Sequence, residues 1–495
     1  MSGIRRRLGR GLRVAAFAGL GGLALLPLGA ARRAAAQVPS PALEGPVTGG
    51  NGKPLLATTS FDLADVGYSQ AEYFISGTAT AYTSADPLAS DGNWTVTPGS
   101  TAAYKTRILV YRPVTRARFN GTVVVEWLNV SGGLDTAADW VNAHTELTRE
   151  GFAWMGVSAQ QLGIEGGTSI LMLPATGIKT EDPARYGSLA HPGDSFSYDI
   201  FSQAGQAVRA PAGTGPFGDL KVKRVIAIGE SQSAFRLVTY VDAVDPLAAV
   251  YDGFLIHSRN ASGAALSEAP QPSITVPSPT LIRSDIRVPT LAFETETDLV
   301  TLQYFSARQP DTDHFRLWEV AGTSHADTYT VQVGFSDEGN DPAAAELVLT
   351  TLGCSTPINS GPQHFVLNAA VAALNRWVRH GTPPPEAPLL DVVAGTPPTI
   401  TRDANGNALG GIRTPQLDAP IAAFSGVGQS GSAFCFLFGT TVPFDAPTLA
   451  ALYPDHRAYV SSFNKATRSA KRSRFLLARD ARLMKTAART SDIGN

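Results

Sequence analysis

Short apolar runs recur along the chain, and segments with helical spacing separate them. The run 225–228 is apolar at every position, which is typical of a parallel strand buried on both faces of its sheet. The segments 71–79 and 104–113 predict two antiparallel edge strands that the loop 86–99 joins. This alternation predicts an α/β fold with a doubly wound, mostly parallel sheet. The other predicted strands are 121–127, 152–159, 251–257, 288–294 and 315–320, and the predicted helices are 139–149, 198–209, 233–240 and 364–379.

The stretch 221–240 predicts a strand, a sharp turn and a helix in immediate succession. Its turn, Gly229-Glu230-Ser231-Gln232-Ser233, follows the pattern G-x-S-x-G with a serine in place of the last glycine. In this context it is similar to the nucleophile elbow of α/β-hydrolases, where small residues let the strand and the helix approach closely. The pentapeptide alone is a weak signal, but the flanking strand and helix make Ser231 the candidate nucleophile.

A carboxylate follows the predicted strand 288–294, where the acid of a catalytic triad is expected. Asp298 fits this position best. Glu296, two residues earlier, is an alternative acid, and acidic residues at strand exits are often only helix caps.

A histidine follows the last predicted strand, 315–320, in a glycine-containing loop. This residue, His325, is the candidate general base. His257 also ends a strand, but it precedes the acid and so breaks the order serine, acid, histidine that marks the α/β-hydrolase fold. We therefore interpret His257 as a pocket or structural residue.

A glycine-containing loop follows the predicted strand 121–127, upstream of the candidate nucleophile. Free backbone amides aimed at one point are needed to stabilise an oxyanion, and glycines allow such a conformation. Ser131, Gly132 and Gly133 are therefore candidates for one oxyanion-hole donor, with the backbone amide of Gln232 as the other. Taken in isolation, the loop is better interpreted as an ordinary turn.

Two parts of the chain interrupt or extend the alternating pattern. The segment 258–287 follows the sixth predicted strand without a clear period, and we interpret it as a cap insertion, with a plain surface loop as the alternative. The C-terminal extension 381–495 begins with a proline-rich linker and ends in predicted helices over 447–489. Basic residues alternate there with apolar ones, which indicates a solvated helix face more strongly than a nucleic-acid or membrane surface.

The first 36 residues carry the features of a secretory signal peptide. Five arginines precede the apolar run 14–30, and the alanines at 34–36 resemble a cleavage site, so we expect cleavage after Ala36. A twin-arginine export signal and a retained anchor are the alternatives. The mature chain, 37–495, is then expected to be a single secreted or periplasmic domain without stable membrane insertion.

Net charge, cysteine content and motifs bear on three properties: nucleic-acid binding, disulfide formation and cofactor binding. The net charge of −2 does not favour nucleic acid as a partner. Cys354 and Cys435 are the only cysteines, and they either form a disulfide in an oxidising compartment or remain two buried thiols. The sequence has no zinc-ligand spacing, phosphate-binding loop or dinucleotide fingerprint, so no metal or organic cofactor is expected.

Taken together, the motifs resemble those of the family of alpha/beta hydrolase domain-containing proteins. The segments that carry the resemblance are GESQS at 229–233, VSGG at 130–133, ETETD at 294–298, GTSHAD at 322–327, GIRTP at 411–415 and LYP at 452–454. The resemblance runs from about residue 72 to the end and implies hydrolase activity without naming a substrate.

With Ser231, His325 and Asp298 in the roles above, we expect cleavage of a small-molecule carboxylic ester through an acyl-enzyme. A serine peptidase or amidase and an acyltransferase use the same residues and remain alternatives. A non-catalytic binding protein on a hydrolase scaffold is the alternative from a different class.

Overall fold

The computed structural model describes residues 38–332, 353–432 and 434–495. These residues form a nine-stranded sheet whose spatial order is β1-β2-β3-β5-β4-β6-β7-β8-β9. In chain order the strands are Ala42–Glu44 (β1), Tyr68–Thr83 (β2), Thr97–Pro113 (β3), Thr122–Trp127 (β4), Ala153–Val157 (β5), Arg224–Glu230 (β6), Gly253–His257 (β7), Thr290–Thr295 (β8) and Phe315–Val320 (β9).

Strands β4 to β9 run parallel to their neighbours within this group, so the predicted doubly wound, mostly parallel sheet is confirmed. β2 and β3 form the predicted antiparallel hairpin, and both strands are longer than predicted. The prediction that they form the edge is wrong, because β1 pairs antiparallel with β2 and occupies the edge itself. A three-residue strand is too short to show a period, so the sequence pattern does not reveal it.

Helices cover both faces of the sheet because successive side chains of each strand point in opposite directions. Val125 and Trp127 of β4 pack in the cluster that contains α2 and α3, whereas Val124 packs in the cluster that contains α1 and α4. The longer helices are Ala138–Arg149 (α1), Ser197–Arg209 (α2), Gln232–Thr239 (α3), Gln363–His380 (α4), Ala446–Leu452 (α5), His456–Arg472 (α6) and Ala478–Thr490 (α7).

Short elements connect these parts. The short α-helices are Gln161–Glu165, Ile178–Glu181, Pro183–Tyr186, Asp245–Ala248, Glu296–Val300, Thr328–Gln332 and Pro415–Asp418, and a π-helical turn spans Tyr240–Val244. Turns of 3-10 helix span Leu63–Val66, Arg116–Arg118, Asp194–Phe196, Tyr304–Ala307 and Cys435–Leu437. Two-stranded ribbons pair Gly167–Thr168 with Pro174–Ala175, Val392–Val393 with Thr399–Ile400, and Ala422–Ser425 with Thr440–Pro443.

The segment 258–287 comes directly after β7 in the chain and contains no helix and no strand of a sheet. It lies against α3. The Ala264 amide donates to the Phe235 carbonyl at 2.9 Å, and the Leu281 amide donates to the Ser90 carbonyl in the β2–β3 loop at 2.8 Å. That it caps a substrate pocket stays a prediction.

The C-terminal extension packs against the body of the sheet. The predicted helical tail is divided into α5, α6 and α7, and the ring of Phe475 meets Trp318 of β9 edge-on, with 5.0 Å between the ring centroids. In the described residues no helix is both long and apolar enough to cross a membrane. The predicted signal peptide, 1–36, lies outside the described residues.

Candidate active site

Ser231 lies at the turn between β6 and α3 with backbone angles of φ 59° and ψ −122°. This conformation is strained for a residue that has a side chain, and such strain concentrates at functional sites. The turn is held by a hydrogen bond of 2.9 Å from the Ser231 amide to the His257 carbonyl on the neighbouring strand. The geometry is that of a nucleophile elbow, in which the serine hydroxyl is presented at the carboxyl end of the sheet.

Two hydrogen bonds join Ser231, His325 and Asp298 in a chain. His325 Nε2 lies 2.8 Å from Ser231 Oγ, and His325 Nδ1 lies 2.7 Å from Asp298 Oδ1. The second carboxylate oxygen of Asp298 accepts hydrogen bonds from the amide and the hydroxyl of Thr295, both at 2.7 Å. The three predicted residues thus meet at the exits of β6, β8 and β9.

Asp298 also completes a capping box with Thr295 at the start of the short helix Glu296–Val300. The same carboxylate therefore caps this helix through Oδ2 and orients the imidazole through Oδ1. The cap fixes the carboxylate, because the Thr295 amide and hydroxyl both hold its Oδ2 while Oδ1 faces His325.

Glu296, the alternative acid, has no contact with His325. Its Oε1 accepts a hydrogen bond from the Gly322 amide at 2.7 Å, and its Oε2 accepts from Arg402 at 2.8 Å and from the Gly426 amide at 3.0 Å. Glu296 thus joins the β9 exit loop to the C-terminal extension, and the geometry favours Asp298 as the acid.

Glu230, the residue before the candidate nucleophile, is a functional candidate that sequence reasoning missed. Its Oε1 lies 3.3 Å from His325 Nε2, so the imidazole has one carboxylate at each ring nitrogen. Burial raises the pKa of Glu230 to about 7, although His325 and His257 oppose the shift. The pattern G-x-S leaves this position unspecified, so its residue type is the only signal that could have identified it.

The electrostatic surroundings of His325 favour its protonated form. Burial alone lowers the pKa of an imidazole, but the carboxylates of Asp298 and Glu230 outweigh burial and raise the pKa of His325. The imidazolium formed when His325 accepts a proton is therefore stabilised within the site.

Asn129 connects the predicted oxyanion loop to the elbow. Its Nδ2 donates to the Glu230 carbonyl at 3.0 Å and to the Glu230 carboxylate at 3.2 Å, and its Oδ1 accepts from the Ser131 amide at 2.7 Å. Sequence reasoning missed this residue too, although it directly precedes the predicted VSGG loop.

The four candidate oxyanion donors differ in availability. The Ser131 amide is engaged by Asn129, and the Gly133 amide donates to the Val130 carbonyl at 3.0 Å. Among the described residues, the amides of Gly132 and Gln232 have no recorded acceptor, and Gln232 is the first residue of α3, where helical amides are free. Gly132 and Gln232 are therefore the better candidates of the four.

His257 has a structural position, as expected from its place in the chain. Its Nδ1 lies 2.8 Å from Asp139 Oδ1, its Nε2 lies 3.1 Å from the Gln363 side chain, and burial lowers its pKa to about 4. His257 is thus a neutral residue beneath the elbow, outside the hydrogen-bonded chain. Within the described ranges no group of three or more His, Cys, Asp or Glu side chains is arranged to hold a metal ion.

A disulfide between Cys354 and Cys435 supports the segment beside the candidate base. This is the pairing that sequence reasoning left open. In the adjoining turn, the Leu437 carbonyl accepts a hydrogen bond of 3.0 Å from the amide of Ala326, the residue after His325. This hydrogen bond ties the C-terminal extension to the histidine loop.

Comparison with known proteins assigns the fold family. The family model described as "Alpha/beta hydrolase domain" matches residues 43–486. No curated protein matches the chain.

Several solved structures are similar to the chain, all at low identity. Fungal esterases from Rhizomucor miehei are 12% identical, with 62% of this chain and 84% of theirs covered and a TM-score of 0.30. Dienelactone hydrolase from Anabaena variabilis is 13% identical, with 44% and 80% covered and a TM-score of 0.26. Glucuronoyl esterase from Solibacter usitatus is 10% identical, with 58% and 83% covered and a TM-score of 0.27.

The family match spans most of the chain, and the sheet order with its elbow after β6 agrees with it. The chain has the α/β-hydrolase fold and belongs to the alpha/beta hydrolase domain family.

Proposed function

We propose that the chain is a serine hydrolase that cleaves carboxylic esters through a covalent acyl-enzyme. The observation that carries the proposal is the pair of hydrogen bonds, 2.8 and 2.7 Å long, that links the Ser231 hydroxyl to His325 and His325 to Asp298. A serine hydroxyl is a weak nucleophile unless an adjacent base takes its proton, and this arrangement supplies that base.

In the acylation step, Ser231 Oγ attacks the ester carbonyl carbon while its proton passes to His325 Nε2. Asp298 accepts a hydrogen bond from Nδ1–H throughout, which keeps the imidazole in the tautomer that leaves Nε2 free. The carbonyl oxygen becomes an oxyanion that the amides of Gly132 and Gln232 stabilise. When the tetrahedral intermediate collapses, His325 returns the proton to the departing alcohol.

In the deacylation step, a water molecule takes the place of the alcohol. His325 removes one proton of the water as the water oxygen attacks the acyl carbon. The bond from the acyl carbon to Ser231 Oγ then breaks. The proton returns to Ser231, and the carboxylic acid leaves.

Substitution of the base and of both acidic residues tests these roles. His325→Ala should reduce kcat by about 10⁶-fold and Asp298→Asn by about 10⁴-fold, the losses typical of such triads. Glu296→Gln is the matched control, because Glu296 lies two residues from Asp298 but contacts Gly322, Arg402 and Gly426 instead of His325. A folded Asp298→Asn variant with wild-type turnover, or a larger loss in Glu296→Gln, would overturn the assignment.

The nature of the substrate is tested separately. An ester and an amide with the same acyl group, and the ester with added acceptor alcohols, separate an esterase from an amidase and from an acyltransferase. We expect hydrolysis of the ester to be fastest. Faster amide cleavage, or an alkyl ester as the main product, would contradict the proposed reaction.

We propose in addition that the chain is exported and cleaved after Ala36. The arginine-rich start followed by the apolar run 14–30 supports export. The Cys354–Cys435 bond also supports it, because disulfides persist in oxidising compartments. The mature protein should begin at Gln37; an intact N-terminus on cytoplasmic protein would refute the export.

A further inference from the structure

A cleft of about 420 Å³ lies against the loop that carries Gly132 and Gly133. Its volume is within the range of small-molecule sites in proteins. Four parts of the chain form its walls: the segment that follows β1, with Leu55 and Leu56, the loop 132–134, Gly163, and the segment 174–181.

The walls of the cleft are mainly apolar. Leu55, Leu56, Leu134 and Ile178 contribute aliphatic side chains, and Ile178 is itself packed in a small apolar cluster below the cleft. The charged side chain among the lining residues is Glu181, whose carboxylate accepts a hydrogen bond from Thr176. No lysine or arginine lines the cleft, so it is unsuited to an anionic ligand.

The cleft and the candidate active site share the oxyanion loop, because Gly132 and Gly133 line the cleft. Asn129 bonds to both Glu230 and the Ser131 amide, which places the loop within two hydrogen bonds of the elbow. Gly132 is the next residue, and a Cβ atom there would have no neighbour within 4 Å. The residue whose amide is available for an oxyanion therefore also borders the open space of the cleft.

The ribbon whose second strand, Pro174–Ala175, lines the cleft also carries exposed apolar side chains. Ile170 is 62% exposed and Met172 is 80% exposed, and both lie in the turn between Gly167–Thr168 and Pro174–Ala175. At the cleft itself, Leu134 is 47% exposed and Leu55 is 37% exposed. Exposed apolar side chains that cluster around a cleft indicate a ligand-binding surface.

We propose that this cleft binds the apolar chain of the ester, so that the preferred substrates are uncharged esters with a medium-length alkyl chain. The inference rests on the proposed function, because it takes 131–133 as the oxyanion loop. The alkyl chain that enters the cleft belongs either to the acyl group or to the alcohol of the ester. The two arms of the experiment distinguish these sources.

The experiment compares kcat/KM of the wild type and Leu134→Asp over two series of esters. One series varies the acyl group of p-nitrophenyl esters from acetate to decanoate, and the other varies the alcohol of acetate esters over the same lengths. In the wild type, kcat/KM should rise by up to about fourfold per methylene in the series whose chain enters the cleft. In Leu134→Asp, kcat/KM for the eight-carbon member should fall about tenfold more than kcat/KM for the shortest ester.

Leu483→Asp is the matched control. Leu483 is 59% exposed on α7 and does not line the cleft, so the same substitution there should leave both series unchanged. Equal losses for short and long esters in Leu134→Asp, or an unchanged dependence on chain length in both series, would overturn the proposal while leaving the esterase function intact.

If the wild type hydrolyses none of these esters, a binding measurement still tests the cleft proposal separately from the proposed ester hydrolysis. Octan-2-one, a neutral ketone with one alkyl chain, is titrated calorimetrically into Ser231→Ala with and without Leu134→Asp. Binding that weakens about tenfold in the double variant supports the cleft even without turnover. No binding to Ser231→Ala overturns the cleft proposal.

Discussion

The imidazole of His325 lies between two carboxylates that have different roles. Asp298 accepts from Nδ1 and is fixed by Thr295, whereas Glu230 lies 3.3 Å from Nε2, the nitrogen that also faces Ser231. Other titratable groups near this cluster are His257, Asp139 and Asp327. The charge of Glu230 therefore acts directly on the candidate base.

Replacing Glu230 with glutamine should shift the pH dependence of activity. The carboxylate of Glu230 raises the pKa of His325, so its removal lowers that pKa, and neutral His325 is then available at lower pH. The acid limb of the kcat/KM profile should move to lower pH.

Glu230→Asp, which keeps the charge, is the control and should stay near the wild-type profile. Coincident acid limbs for wild type and Glu230→Gln would show that the carboxylate has no influence on the base.

At the level of single residues, the residue types and their order along the chain were predictable from the sequence, but the contacts between their side chains were not. Ser231, Asp298 and His325 follow strands in the order that the fold requires, so the sequence identifies them as candidates. Asp298 and Glu296 leave the same strand two residues apart, and only side-chain direction separates an acid that meets His325 from one that bonds to Arg402.

The elbow depends on the close crossing of β6 and α3. A Cβ atom at Gly229 would lie 3.1 Å from the backbone and side chain of Ser233, a tight approach that favours glycine there. Ser233 is fully buried, and its hydroxyl has no hydrogen-bond partner among the described residues. A serine thus replaces the usual glycine at the cost of an unsatisfied hydroxyl.

Two substitutions should consequently have opposite effects on stability. Gly229→Ala should lower the free energy of unfolding by about 1–3 kcal/mol through overpacking. Ser233→Ala should raise it by about 1 kcal/mol, because it removes the unsatisfied hydroxyl without adding volume. Urea unfolding of both variants measures the difference, and a destabilised Ser233→Ala would show that the hydroxyl has a partner.

Elements buried on both faces were the most predictable ones. The strands β4 to β9 are apolar runs that end near turn residues, and each was located to within a few residues. β1 and the three ribbons have two to four residues per strand, too few for a period, and tertiary contacts alone define them.

For the molecule as a whole, the C-terminal extension is part of the structure that holds the site. Arg402 and Gly426 bond to Glu296, and Asp480 of α7 forms a two-pronged ion pair with Arg149 of α1, with one bond at 2.7 Å. The sequence predicted helices in this region but not these contacts, because they join residues more than 100 positions apart.

Loss of the Asp480 carboxylate should destabilise the protein. Its side chain is 2% exposed and that of Arg149 is 14% exposed, so Asp480→Ala leaves a largely buried charge without this partner. Arg149 keeps its ion pair with Glu146, so we expect a loss of at most about 3 kcal/mol in the free energy of unfolding.

The neighbouring Arg479→Ala is the control for this measurement. Arg479 and Glu150 are both about half exposed and 3.9 Å apart, so the loss should be at most about 0.5 kcal/mol. Equal effects of the two substitutions would mean that α7 does not stabilise the body of the sheet.

The most direct test of the central claim is covalent labelling of the mature protein with a fluorophosphonate probe, followed by mass spectrometry of the labelled peptide. Such probes react with serines that a neighbouring base activates. We predict one modification, at Ser231, that is absent from Ser231→Ala and strongly slowed in His325→Ala. Labelling at a different serine, or a folded wild type that remains unlabelled, would contradict the assignment of Ser231 as an activated nucleophile.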